Sequence, residues 1–220
     1  MINPFFKNHG PITLKKIFEL SDTSPKKQFS NIEILDIKDL VTAKIENITF
    51  FHSKKYEDLA SKTKAAFCIT TKKLSHILPK SCEAIIVDNV LITTAKITKF
   101  LYPDAISDDF DDSVLDITKT TFKDKIKFGK NILMGLNVQI GKNCLIGHNS
   151  IIESNVIIGD NCSIGSNVII RNTVIKNNVS ILDNCVIGKK GFGFFPDNKK
   201  NIRYPHIGIV IIEDDCEIGC

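Results

Sequence analysis

Five histidines and seven cysteines are the side chains of this 220-residue sequence best suited to proton transfer, nucleophilic attack or metal binding. A histidine can serve as a general base near neutral pH. His9, His52 and His76 are lone histidines and read as surface or packing residues. His148 lies in Ile146-Gly147-His148-Asn149, and His206 follows Tyr204-Pro205. The cysteines (Cys68, Cys82, Cys144, Cys162, Cys185, Cys216, Cys220) form no CxxC pair and are odd in number. Reduced thiols fit that pattern better than a disulfide framework or a zinc site. Phe50 and Tyr56 offer flat apolar faces but, on residue type alone, read as core or edge aromatics.

The elements that would carry these residues divide the chain. From Phe122, steps of six land on Phe128, Met134, Ile140, Ile146, Ile152, Ile158, Ile164 and Ile170, all large and apolar. The residue after each anchor is mostly glycine, and the fourth residue after it is small or β-branched. A period of six suits neither an α-helix nor a simple strand. It suits a short β segment plus a corner, stacked in register about 4.8 Å apart. The anchor should point inward, and the glycine after it should take the corner, where it tolerates positive φ. Three sides close one coil, so nine hexads predict three coils. The phase slips by one between Ile170 and Ile175, resumes at Ile181 and Ile187, and restarts at Ile212 and Ile218. The intervening Gly/Pro/Asn-containing stretch, residues 191–205, is expected to be a loop extruded from a corner. Cys144, Cys162, Cys185 and Cys216 occupy inner positions and are expected to be small core fillers.

Residues 1–103 follow another pattern. Thr13–Leu20 reads as a short helix with Leu14, Ile17 and Phe18 on one face. Residues 65–70 and 84–87 read as buried strands, and 89–102 as a helix with Ile92, Ala95, Lys96 and Phe100 at roughly helical spacing. The expected organisation is a small α/β domain (1–103), an acidic linker (104–113) and a parallel β-helix (114–220).

Composition narrows the function classes. The net charge is +4, from 29 basic and 25 acidic residues, too balanced to argue for a nucleic-acid partner. No run of about 18 apolar residues predicts a membrane span, and the start lacks the features of a signal peptide. A soluble cytoplasmic protein is expected.

Four segments together resemble the UDP-3-O-acylglucosamine N-acyltransferases of lipid A biosynthesis. They are Asn47 to Tyr56 (NITFFHSKKY), Lys64 to Ile69, Ile146 to Asp160, and Gly191-Phe192-Gly193-Phe194 followed by Tyr204 to Gly208 and Val210 to Ile212. The resemblance implies a left-handed β-helix, a homotrimer, a 3-hydroxyacyl donor on acyl carrier protein, and a UDP-3-O-acylglucosamine acceptor. Neither cofactor nor metal is implied. Phe50 and Tyr56 correspond to aromatic residues that hold the uracil, and Ser53 falls where the family has asparagine. A hydroxyl offers fewer hydrogen bonds at shorter reach. In the family, the histidine that acts as base lies beyond the glycine-phenylalanine loop, so His148, which precedes that loop, is not expected to be catalytic. The resemblance places that histidine beyond Cys220, with a truncated chain as the expectation. The alternative to an acyltransferase is then a non-catalytic UDP-sugar-binding or trimer-partner remnant. A purely structural β-helix would present one repeated residue type on a flat face. The mixed Lys, Asn and Asp of the outer positions argue against it.

Overall fold

The computed structural model describes residues 3–25, 32–107, 109–196 and 201–220. They form two compact units. One contains residues 6–107 together with the loop 192–206, and the other contains the rest. Residues 197–200 of the expected loop, and Asp108 of the expected linker, lie outside the described residues.

The first unit is built on a four-stranded parallel sheet: β1 (Asp36–Ile37), β2 (Asn47–Phe51), β3 (Phe67–Thr70) and β4 (Glu83–Ile86), paired in sequence order. The register runs Ile48↔Phe67↔Glu83 to Phe51↔Thr70↔Ile86. Ile48, Phe51, Cys68, Ile69 and Ile85 are buried, as expected for a parallel sheet covered on both faces. Helix α1 (Leu14–Leu20) starts where Thr13 caps it, its hydroxyl accepting from the Lys16 N–H, and it buries Leu14, Ile17 and Phe18. Helix α2 (Val90–Leu101) is capped by Asn89.

The buried face of α2 differs from the sequence expectation. Ala95 is buried as expected and Phe100 is exposed, while Val90, Thr94, Ile97, Thr98 and Leu101 make up the rest of the buried face. Threonines can line the core because each hydroxyl donates back one turn: Thr94 to the Val90 carbonyl at 2.7 Å, Thr98 to that of Thr94 at 2.8 Å. The side chains therefore enter the core as satisfied polar groups, which a purely apolar stripe search misses.

Tyr102, just past α2, donates its hydroxyl to Asp36 at 2.7 Å, and Lys38 pairs with the same carboxylate at 2.6 Å. Burial, then the Asp36 carboxylate, push the phenol far above its ordinary value. A folded-state pKa raised above the unfolded one gives stability that is full below about pH 10 and is lost as pH rises further. The wild-type protein should therefore lose unfolding free energy above about pH 10, at up to about 1.4 kcal/mol per pH unit from this group. Tyr102→Phe should flatten that slope in urea melts across pH 9–12. Identical slopes in the two proteins would contradict the assignment.

The second unit is a left-handed parallel β-helix with three sides. The first side stacks Lys127–Phe128, Leu145–Ile146, Ser163–Ile164, Ser180–Ile181 and Glu217–Ile218. The second stacks Leu133–Met134, Ile151–Ile152, Ile169–Ile170 and Val186–Ile187, with Leu115–Asp116 added antiparallel. The third stacks Gln139–Ile140, Ile157–Ile158, Thr173–Ile175 and Val210–Ile212. The anchors from Met134 through Ile181, except the half-buried Ile140, are buried in one continuous core. Phe122 does not start a rung. It opens a turn, its carbonyl accepting from the Lys125 and Ile126 N–H groups, and it packs on the core from the edge.

The corner chemistry corrects the expectation for glycine. Among the described corners, Gly188 after the anchor Ile187 has the expected positive φ (73°), but the left-handed residue of most corners is the asparagine three past the anchor: Asn131, Asn137, Asn143, Asn149, Asn155, Asn161, Asn167, Asn178 and Asn184 all have φ between 55° and 66°. Asparagine tolerates this region because its short amide hydrogen-bonds locally. The amides also stack between coils, Asn143 to Asn161 and Asn161 to Asn178, both at 3.1 Å. Glycine follows the anchor for a different reason, which is close approach of the next coil. A Cβ on Gly147 would stand 2.5 Å from the Gly165 carbonyl carbon and the Ser166 nitrogen. The phase slip is a corner one residue shorter, at Asn172 (φ 49°), so coil neighbours are 17 rather than 18 apart there.

Two inner cysteines do more than fill space. The Cys144 and Cys162 thiols donate to the Gly159 and Lys176 carbonyls of the next coil at the same corner, both at 3.1 Å, as the Ser150 hydroxyl does to Gly165 at 2.9 Å. Cys185 is buried and Cys216 is half-buried.

Candidate functional site

In a parallel sheet, ligands bind beyond the carboxyl ends of the strands, where loops can carry specific groups. Strand β2 delivers its carboxyl end as Phe50-Phe51-His52, alternating outward and inward. Phe51 is fully buried, while Phe50 is half-buried and His52 exposed. Ser53 then starts a single 3-10 turn, Lys54–Tyr56, by accepting from the Lys55 N–H at 3.4 Å. That turn brings Tyr56 back toward the strand end.

The result is an aromatic cluster. The Phe50 and His52 rings lie 6.3 Å apart with planes 26° from parallel, and His52 and Tyr56 lie 5.6 Å apart. The Lys55 ammonium stands 5.9 Å from the centre of the Tyr56 ring, and Lys54 faces Glu57 at 4.0 Å. Flat faces with cations at the rim suit a planar base carrying phosphate. Of the residues singled out in the sequence, Phe50 and Tyr56 come together through His52. Ser53 lies beside them, with its hydroxyl engaged by its own turn. His52, a lone histidine in sequence, joins them in the structure. The overlooked signal is its spacing of two from Phe50 at a strand end, which puts both rings on one side.

The other histidines are placed differently. The His148 Nδ1 accepts from the Lys130 N–H at 2.9 Å, so its imidazole caps a corner of the preceding coil. Ser154 does the same for Leu136 at 2.8 Å and Asp160 for Lys142 at 2.7 Å. His148 thus belongs to a column of corner-capping acceptors. His206 packs edge-on against Tyr204, whose phenol burial pushes above its ordinary value; the buried His206 Nε2 has no hydrogen-bond partner among the described residues. His9 faces Asp104 at 3.7 Å.

On the β-helix, Glu153 and Arg171 replace two of the corner glycines and pair at 3.0 Å in a largely buried setting. Burial pushes the Glu153 carboxyl up, against the pull of Arg171. Beside them Asp111 accepts from the Ser154 N–H at 2.8 Å and from Ser113. Burial opposes ionisation of Asp111, but the hydrogen bonds of Ser113 and Ser154 outweigh it and hold the carboxyl below its ordinary value. Among the described residues, no hydrogen bond or ion pair links this group to a histidine. It ties residues 111–113 to the second side.

Residues 31–100 match the family model of UDP-3-O-(3-hydroxymyristoyl) glucosamine N-acyltransferase, and residues 137–172 match that of the bacterial transferase hexapeptide repeat. A UDP-3-O-acylglucosamine N-acyltransferase of Rickettsia prowazekii is 34% identical over 100 residues, which is 44% of this chain and 29% of the relative. Proteins of that name from Syntrophotalea carbinolica and Geobacter sp. are 59% and 62% identical over 34 residues, 16% of this chain and 10% of each relative. The matched stretches thus span less than a third of the relatives' length. The aromatic cluster falls inside the first family match and the stacked coils contain the second. The chain is therefore similar to the sugar-nucleotide acyltransferases over residues 31–100 and to the hexapeptide repeat of bacterial transferases over residues 137–172.

Proposed function

We propose that this chain is the UDP-sugar-binding part of an N-acyltransferase that moves a 3-hydroxyacyl group from acyl carrier protein to the 2-amine of UDP-3-O-acylglucosamine, the step that serves lipid A assembly. The observation that carries this reading is the Phe50–His52–Tyr56 cluster at the carboxyl end of β2, inside the matched domain. The rings take the uracil, and Lys54 and Lys55 lie at the rim for the diphosphate. Ser53 stands at the base edge, where one hydroxyl gives fewer hydrogen bonds than an amide. The general base toward the amine is not His148, whose Nδ1 is spent on the Lys130 N–H. Residues 1–220 supply acceptor binding.

Titration calorimetry with UMP tests this. Binding is expected, and Phe50→Ala should weaken it about tenfold, the worth of one base–aromatic stack. Equal UMP affinity in the two proteins would remove the platform from the reading.

The β-helix supports a homotrimer as the working assembly. The outward residues of the second side are Leu133, Ile151, Ile169 and Val186, and those of the third are Gln139, Ile157, Val174 and Ile211. The first side presents Lys127, Leu145, Ser163, Ser180 and Glu217. A closed threefold ring needs two different patches on each copy, one for each neighbour. Two apolar sides and one polar side fit that requirement. A chain that serves only as a trimer partner would use the same two sides.

A further inference from the structure

The base platform holds a ring from the chain itself. His52 touches both aromatic residues that the proposed function assigns to the base, Phe50 at 6.3 Å and Tyr56 at 5.6 Å. Its plane lies 26° from that of Phe50, an arrangement a bound base would also adopt. Among the described residues no hydrogen bond or ion pair holds the imidazole, so its two ring neighbours are what position it. The side chain is exposed and hinged only by its own χ angles, free to rotate toward solvent at little cost.

We propose that His52 is an intramolecular stand-in for a planar base, a ring that a flat heteroaromatic ligand displaces in order to stack on Phe50 and Tyr56. This rests on the platform reading above and adds a determinant to it. A ligand gains only the difference between its own stacking and that of the imidazole. Residue 52 thereby sets the affinity of the site, and it favours bases whose stacking exceeds that of a five-membered ring.

The test uses the full chain, its His52→Val and Phe50→Ala variants, and UMP and AMP as probes, with calorimetry and the His52 imidazole proton resonances as readouts. Val keeps the β-branched strand-end preference without the ring. Ring currents of Phe50 and Tyr56 should hold the His52 resonances upfield in the free protein. UMP should move them downfield, toward the position of a free histidine. His52→Val should bind UMP about three- to tenfold more tightly, the range expected for one aromatic pair. Unchanged or weaker UMP binding by His52→Val, with binding still weakened about tenfold in Phe50→Ala, overturns the stand-in and leaves the uridine platform intact. Tighter AMP binding by His52→Val, with no UMP binding in any protein, keeps the stand-in and overturns uridine. Failure of both nucleotides to bind any of the three proteins at about 10 mM, near the weak end of specific recognition, overturns both.

Discussion

Gly147→Ala is expected to lower the thermal unfolding midpoint of the β-helix by about 10 °C, the consequence of about 3 kcal/mol of lost stability. The added methyl would stand 2.5 Å from the backbone of Gly165 and Ser166 in the next coil, closer than any real contact. No flexible side chain is there to move aside. The coils must separate, and the Gly147 N–H, which donates to the Ile164 carbonyl at 2.7 Å, loses its bond. Ala would ordinarily gain up to about 1 kcal/mol by restricting the unfolded chain, but only where the native site accepts it without strain. Gly219→Ala is the control, since a Cβ there meets nothing within 4 Å. Equal midpoints for the two variants by far-UV circular dichroism would show that close approach of coils is not what requires glycine.

The same corner shows how far the sequence was legible. Anchors spaced by six, with small residues four places on, revealed the prism, because burial acts on side chains directly and leaves a visible period. The glycine column was equally visible, but its cause was not. Positive φ accounts for Gly188 (φ 73°), whereas at most corners the left-handed residue is the asparagine two positions later. That asparagine column runs through Asn131, Asn143, Asn149, Asn161 and Asn167 in plain view. It went unread because asparagine in a polar stretch is ordinary, and its meaning comes from stacking on a residue 18 positions away. His148 is a similar case. Its neighbours in sequence suggest chemistry, while its partner, the Lys130 N–H, lies one coil back.

In the first unit, strands and helices were legible but the inward face of α2 was not. The threonines that turn inward are made acceptable by bonds to their own helix. At the platform, Phe50, Ser53 and Tyr56 were found by resemblance to a family. His52 was not, since the resemblance assigns it no role. Its neighbours become evident only once Ser53 turns the chain and returns Tyr56 to the strand end.

Ile169→Glu is the second large effect expected, and it tests the assembly on which the proposed function depends. Ile169 sits in the middle of the outward column of the second side, with Ile151 below it and Val186 above, in register. Its inward neighbour Ile170 is the core residue, so the change leaves the prism itself intact. In a threefold ring of these prisms, residue 169 of each copy would face an apolar side of the next. A carboxylate there would be removed from water without a partner, costing several kcal/mol at each of three contacts. Mass measured by light scattering should fall from three chains to one, while circular dichroism stays that of the wild type. The outward column of the first side provides the contrast, because Ser163→Glu adds the same charge to a side already polar at Lys127 and Glu217. A trimer that survives Ile169→Glu but not Ser163→Glu would move the interface to the first side. A wild-type chain that is monomeric at every concentration would separate UDP-sugar binding from assembly altogether.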